Sequence, residues 1–241
     1  MLCYWPNHYY QFETMYEYKL NFDKLSLTIH DLFMEIGYGC MEPEDSVRSL
    51  AASMLDDVAS WAAPSCTFSL FNGQVEKDMV LLADGECFHV GTTIANLLKG
   101  STSFAFFVAT AGRDFQEFQN QLKLEGDMLK CFIADVLGTC IVEKTGDCLE
   151  QLLEDILGKE RHTSRLSPGY CGWALSDQKS LFRILGDSPC GVHLSDVCLM
   201  EPIKSISGLM GIGTNVVEKE YGCRYCQQQT CYRRKNKSRH L

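Results

Sequence analysis

No apolar run in the 241-residue sequence is long enough to cross a bilayer as a helix. The opening residues, Met1-Leu2-Cys3-Tyr4-Trp5-Pro6, lack the basic segment and apolar stretch of a secretory leader. Together these absences lead to the expectation of a cytoplasmic protein that does not engage a membrane. Internal repeats are missing, and no low-complexity linker precedes Tyr221. No Ser/His/Asp arrangement or carboxylate pair stands out as a catalytic constellation, so nothing points to nucleophilic or acid–base chemistry by the chain's own side chains.

What is present is the composition of a soluble globular protein, 46% apolar and 22% charged. The length permits one sizeable core plus an appendage. Thirteen cysteines, an odd number scattered among helical and strand patterns, make a poor disulfide framework and read as reduced thiols. Cys131 and Cys140 read as small core hydrophobes. Net charge is −9, yet residues 221–241 hold six basic residues and no acid, so the body is more acidic than the whole. An acidic body argues against nucleic acid as the main partner. The expected division is a domain over 1–220 and a basic, cysteine-rich tail over 221–241.

Along the chain, Tyr10–Asn21 alternates polar and apolar residues as a strand would, and Leu25–Ile36 reads as a helix closed by Gly37. A clear amphipathic helix starts at Pro43-Glu44-Asp45 and ends before Pro64. Strand patterns follow at 66–71, 79–82 and 87–90, then a short helix over 93–98. Ser103–Ala109 is apolar throughout and reads as a central strand covered on both faces. From Asp114 to about Leu157 the pattern is helical, with Gly126, Gly138 and Gly146 as the expected interruptions. Gly138-Thr139-Cys140 would let another backbone approach. The mixture predicts an α+β fold, a twisted and mainly antiparallel sheet with packed helices.

The densest chemistry lies in Arg165-Leu166-Ser167-Pro168-Gly169-Tyr170. Pro168 and Gly169 suit a type II turn, with Ser167 extended before the proline. Such a turn offers unpaired main-chain groups beside a residue with no side chain. Arg165 could grip a carboxylate through two parallel hydrogen bonds, and Tyr170 adds a ring face and a hydroxyl. The plain alternative is an ordinary corner of the fold.

After the hexapeptide come Ser176-Asp177-Gln178 opening a helix that ends Leu181-Phe182-Arg183-Ile184-Leu185-Gly186, then His193-Leu194-Ser195-Asp196, then Met200-Glu201-Pro202 and Ser205-Ile206-Ser207-Gly208. This ordered series resembles the C-terminal reactivation domain of cobalamin-dependent methionine synthase, which binds S-adenosylmethionine and remethylates an oxidised cobalamin. Gly37-Tyr38 and Pro43-Glu44 extend the resemblance to about residues 10–213. It implies an S-adenosylmethionine-binding accessory protein for reductive methylation of a corrinoid carried by a separate methionine synthase or related methyltransferase. An electron donor such as a flavodoxin or ferredoxin would complete the system. The chain has no Asp-x-His-x-x-Gly loop of its own to supply a lower-face ligand to cobalamin. By the same resemblance Arg165 would clamp the ligand carboxylate, Ser167 and Gly169 would meet the adenosine, Tyr170 would wall the site, and Glu143 would be a polar contact from the neighbouring helix. His193 reads either as facing the corrinoid partner or as structural. The resemblance breaks after Gly208: Leu209-Met210-Gly211-Ile212-Gly213 replaces aromatic strand residues, which implies a more open site.

In the tail, Cys223, Cys226 and Cys231 stand in Cys-x2-Cys-x4-Cys spacing between arginines, a pattern that could gather three thiolates on zinc or an iron–sulfur cluster. The alternative function is therefore an iron–sulfur or zinc protein for electron delivery or partner docking on the same scaffold. A weaker third is RNA binding through the basic tail.

Overall fold

In the computed structural model, which describes residues 15–217, the chain runs β1 (Met15–Lys19), α1 (Ile29–Ile36), α2 (Asp45–Trp61), β2 (Ser65–Glu76), β3 (Met79–Leu82), β4 (Cys87–Phe88), α3 (Gly91–Leu97), β5 (Ser103–Thr110) and α4 (Arg113–Glu125). It continues through α5 (Met128–Leu157), β6 (Arg161–His162), α6 (Gln178–Leu185), β7 (His193–Leu194), β8 (Met200–Glu201) and β9 (Ser205–Gly213). Seven strands form one antiparallel sheet in the order β4-β3-β2-β5-β9-β6, with β1 on the free edge of β2, while β7 and β8 make a separate hairpin. The α+β architecture is the one the sequence predicts.

Every residue of β5 is buried, as the apolar run Phe104–Ala109 within it requires, because both faces of the sheet are covered. Ala105, Phe107 and Ala109 join Phe68, Met210 and Ile212 against Leu149 and Leu153 of α5. Phe104, Phe106 and Val108 point the other way, into a core with Ile94 of α3, Trp173, and Leu181 and Phe182 of α6. A third cluster lies behind α5, where α1, α2 and α4 pack on it. Cys140 belongs to that cluster and Cys131 packs against it. None of the nine described cysteines forms a disulfide, and no described helix is long and apolar enough to cross a membrane.

The expectation for the long helical region needs correction. Gly126, with φ of 76°, ends α4, but α5 runs through Gly138 and Gly146 for 30 residues. Both glycines serve packing. A Cβ at Gly138 would fall 2.5 Å from the Phe115 ring and 2.8 Å from Lys204 Cγ, so side chains, rather than another backbone, use the space. Lys204 lies across the groove, its Nζ 2.8 Å from Asp135 and 3.1 Å from Thr139 Oγ1. The propensity cost of the two glycines, about 1 kcal/mol each, is outweighed by tertiary contact.

The helix expected over Leu25–Ile36 begins instead at Ile29, because Thr28 caps it. Thr28 Oγ1 accepts from Asp31 N–H (3.3 Å) while Asp31 Oδ2 accepts from Thr28 N–H (2.8 Å). Burial alone would raise the Asp31 pKa, but the hydrogen bonds from Thr28 and the nearby Lys144 and His30 hold it below its ordinary 3.8. Its stabilising effect is therefore present above that value and lost as pH falls through the folded-state pKa. Thr28→Ala should lower stability by about 1 kcal/mol. In urea titrations, the deficit of Asp31→Asn should shrink as pH is taken below 3.8.

Candidate functional site

Between β6 and the Pro-Gly turn the chain runs along the free edge of β9, and its register there decides where Arg165 points. Arg161 pairs with Gly213 and His162 with Ile212; Thr163 N–H donates to Gly211 O at 2.9 Å. Leu166, however, exchanges hydrogen bonds with Leu209 (2.9 and 2.8 Å). Two residues, Ser164 and Arg165, thus stand opposite the single Met210, which is a β-bulge. The extra residue reverses the alternation of faces. Leu166 turns into the core with Trp173 and α6, and Arg165 is brought to the α5 side.

There Gly146 makes the seat. A Cβ at that position would overlap Arg165 Nη1, and would lie 2.6 Å from Cζ. The guanidinium can therefore rest on the helix backbone, with Nη1 donating to Glu143 O at 3.2 Å. Nη2 meets Asp147 Oδ1 at 2.9 Å and Glu143 Oε2 at 3.7 Å, and Nε meets Glu150 Oε1 at 3.0 Å. One turn on, His162 Nε2 is 3.1 Å from Glu154. Glu143, Asp147, Glu150 and Glu154 are spaced by four, three and four residues, so they form one acidic stripe on α5. The stripe was legible in that spacing, but the sequence reading singled out Glu143 alone and missed Asp147 and Glu150.

Glu150 sits least exposed of the three acids on Arg165. Burial pushes its carboxyl up, and Arg165 and His162 pull it down, while Asp147 and Glu154 push it up again; the balance lies above the ordinary 4.5.

Beyond Leu166 the turn forms as expected, with Gly169 at φ of 91°. Gly208 of β9 admits the Leu166 carbonyl, and a Cβ there would stand 3.1 Å from Ser167 Oγ. The expectation of unpaired main-chain groups is not met throughout. Gly169 N–H donates to Trp173 O, and Trp173 N–H donates to Tyr170 O, both at 2.9 Å. Trp173 is 1% exposed and its indole N–H donates to Asp177 Oδ2 at 3.0 Å, anchoring the turn to the core. Gly169 is exposed, and Tyr170 is 59% exposed. The structure thus brings Arg165 and Glu143 into contact and leaves Tyr170 at the surface of the same segment.

His193 lies elsewhere, on the exposed face of the β7–β8 hairpin, paired across from Glu201. It lines a cleft of about 190 Å³ with Arg113, Gln116 and Pro202, in which the 165–170 segment takes no part. A larger cleft of about 650 Å³ also excludes that segment. Cys223, Cys226 and Cys231 lie outside the described residues; among the described residues, no group of three His, Cys, Asp or Glu side chains could hold a metal ion.

A family model described as vitamin B12 dependent methionine synthase, activation domain, matches residues 51–237. The chain belongs to this activation-domain family. A solved structure, "Crystal Structure of the MetH Reactivation Domain bound to AdoHcy", shares the fold: the TM-score is 0.63 at 14% identity, over 88% of this chain and 82% of that one. No curated protein sequence matches the chain. Within the activation-domain fold, Leu209, Met210 and Ile212, which depart from the expected aromatic pattern, are fully buried and belong to the two sheet cores.

Gly146→Ala should displace the Arg165 guanidinium and destabilise the protein by about 1–3 kcal/mol despite the better helix propensity of alanine; thermal melts measure it. Glu150→Gln gives a pH-dependent result. With its folded-state pKa raised, Glu150 stabilises the fold below its ordinary value, and that contribution is lost as pH rises through the folded-state pKa. The stability of Glu150→Gln relative to the parent should therefore increase from pH 4.5 towards neutrality, as read from paired urea titrations.

Proposed function

We propose that this activation-domain protein binds S-adenosylmethionine along the 165–170 segment and presents its methyl group to a reduced corrinoid on a separate protein. That partner is a B12 dependent methionine synthase or a related methyltransferase, and a flavodoxin or ferredoxin class donor supplies the electron. Family membership supports the reading. So does the structural relative, a reactivation domain solved with AdoHcy bound. The observation that carries it on this chain is the bulge-directed Arg165 amid three carboxylates, in the same short segment as the exposed Gly169-Tyr170 turn.

The charges are complementary. At its amino-acid end the ligand has one carboxylate and two cations, an ammonium and a sulfonium, whereas the site has one guanidinium and three acids. The ligand carboxylate takes the place of Asp147 on Nη2, since that side chain is 52% exposed and free to swing outward. Glu143 and the released Asp147 then face the ammonium and sulfonium. Ser167 and Gly169 line the adenosine, and Tyr170 closes over it. The bound nucleotide supplies a methyl group on a good leaving group, so the residues of this chain bind and orient without acting as acid or base.

The cysteine tail carries a second reading, a zinc or iron–sulfur site for electron delivery or docking, which rests on the spacing of Cys223, Cys226 and Cys231. Metal analysis and the visible spectrum of anaerobically purified protein test it, against a Cys226→Ser control.

Calorimetry with S-adenosylmethionine tests the main reading. The parent protein should bind one equivalent, Arg165→Ala should show no detectable binding, and Tyr170→Ala should bind roughly tenfold more weakly, about 1.4 kcal/mol. Because Arg165→Ala strands three carboxylates, Arg165→Lys serves as a milder variant that keeps the charge and loses the fork. Absence of binding by the parent protein would sink the proposal.

A further inference from the structure

The cleft of about 650 Å³ opens where α6 stops. Gly186, at φ of 95°, turns the chain away after Leu185, and the last turn of the helix, residues 183–186, lines the cleft together with Leu70 and Phe71 of β2. The Phe71 ring stands edge-on to Phe106 at 5.6 Å and packs, like Ile184, against the α6 core. The apolar wall therefore belongs to the sheet and the helix, and its shape is fixed by them. Small-molecule sites enclose roughly 300–1,000 Å³, and this cleft falls within that range.

Two charged side chains, Arg183 and Asp84, line the same cleft. Glu86 ties them together: its Oε2 accepts from Arg183 Nη2 at 2.8 Å, and its N–H donates to Asp84 Oδ1 at 3.0 Å. Arg183 Nη2 also lies 3.4 Å from Ser180 Oγ. These bonds occupy one nitrogen of the guanidinium and one oxygen of the carboxylate. Among the described residues, no acceptor meets Arg183 Nη1 and no donor meets Asp84 Oδ2. The helix adds more acceptors. Its C-terminus makes no capping hydrogen bond, and no backbone N–H of the described residues reaches the carbonyls of Arg183, Ile184 or Leu185. Carbonyls left open at a helix end carry partial negative charge and favour a cation.

We propose that this cleft is a second ligand site, which takes a free α-amino acid with a large apolar side chain. The ligand carboxylate accepts from Arg183 Nη1, its ammonium faces Asp84 Oδ2 and the open end of α6, and its side chain lies against Phe71, Ile184 and Leu185. A ligand with one charge fits less well. Arg183 and Glu86 neutralise each other, so an anion alone meets the surplus charge of Asp84, and a cation alone leaves the Arg183 donor unused. The cleft shares no residue with the 165–170 segment, so the site holds whether or not a nucleotide binds there.

Titration calorimetry with free phenylalanine, leucine and alanine tests the assignment, with phenethylamine and hydrocinnamate as analogues that keep one charge each. Phenylalanine and leucine should bind the parent protein with Kd at or below about 1 mM. Alanine should bind roughly tenfold more weakly, for want of apolar surface to bury, and each analogue roughly tenfold more weakly than phenylalanine. Arg183→Ala should weaken phenylalanine by about tenfold and leave phenethylamine unchanged. Asp84→Asn, which keeps an acceptor for the Glu86 N–H, should weaken phenylalanine by about tenfold and leave hydrocinnamate unchanged. Both side chains are exposed, so both variants should melt close to the parent. A general loss of structure would not match each variant to its own analogue. Arg165→Lys should bind phenylalanine as the parent does, which separates this site from the one proposed for S-adenosylmethionine. Failure of phenylalanine and leucine to bind overturns the proposal. Weaker binding by Arg165→Lys overturns it too, as does equal weakening of phenylalanine and both analogues by either cleft variant.

Discussion

The contact between the Arg165 guanidinium and the bare backbone of α5 at Gly146 fixes how the sheet edge and the longest helix meet. It needs two departures from regular structure at once. A bulge of one residue against β9 turns the arginine to the helix side, and a glycine in the middle of a 30-residue helix clears a place for it. Neither departure is favourable alone, since a bulge leaves the ladder locally unpaired and a mid-helix glycine is a weak helix former. Charge-assisted hydrogen bonds to Asp147 and Glu150 hold the guanidinium in that seat. Because Arg165 is only partly buried, these pairs fix geometry more than they raise stability.

That geometry is held from behind by a sheet with two dry faces. The alternation of β5 between Phe107, facing α5, and Phe106, facing α6, leaves little freedom for sliding, since a shift of one residue would exchange the two cores. The bulge is the single place along the β6 edge where such a shift occurs, and it is confined to Ser164-Arg165. The order of the residues after it, Leu166 into the core, Pro168 and Gly169 in the turn, Trp173 back into the core, pins the turn at both ends. Tyr170 is thereby left outward without being left loose.

Much of this was legible in the sequence. The apolar run within 103–109, the amphipathic helix before Pro64 and the Pro-Gly turn were read from periodicity and turn chemistry, because those signals are local. The length of α5 was not. Gly138 and Gly146 look like helix breakers by propensity, and only partners distant in the chain, Phe115, Lys204 and Arg165, show why they are tolerated. The same limit hid Asp147 and Glu150. Their spacing from Glu143 was visible, but a stripe of acids on a helix is most often a solvated face until a cation is shown opposite it. A one-residue bulge has no sequence signal at all here, so the direction of Arg165 could come only from the register.

The motif residues divide into two kinds once their contacts are known. Ser205 Oγ donates to Pro202 O at 2.7 Å and lies 2.8 Å from Thr110 Oγ1; Ser207 accepts from Gln178 Nε2 at 2.9 Å; Gly208 clears the Leu166 carbonyl. Trp173 holds the turn. All of these are accounted for by closing the sheet and docking α6, and would be required whether or not a ligand ever bound. Gly169 and Tyr170 are different. The fold needs a positive φ at residue 169, but it does not need a large aromatic at residue 170 with more than half its surface in water. An exposed tyrosine on a doubly anchored turn, in the same segment as an arginine whose partner Asp147 is itself half exposed, is the part of the segment that folding leaves unexplained. The case for a ligand therefore rests on these few atoms and not on the length of the motif, most of which specifies the scaffold.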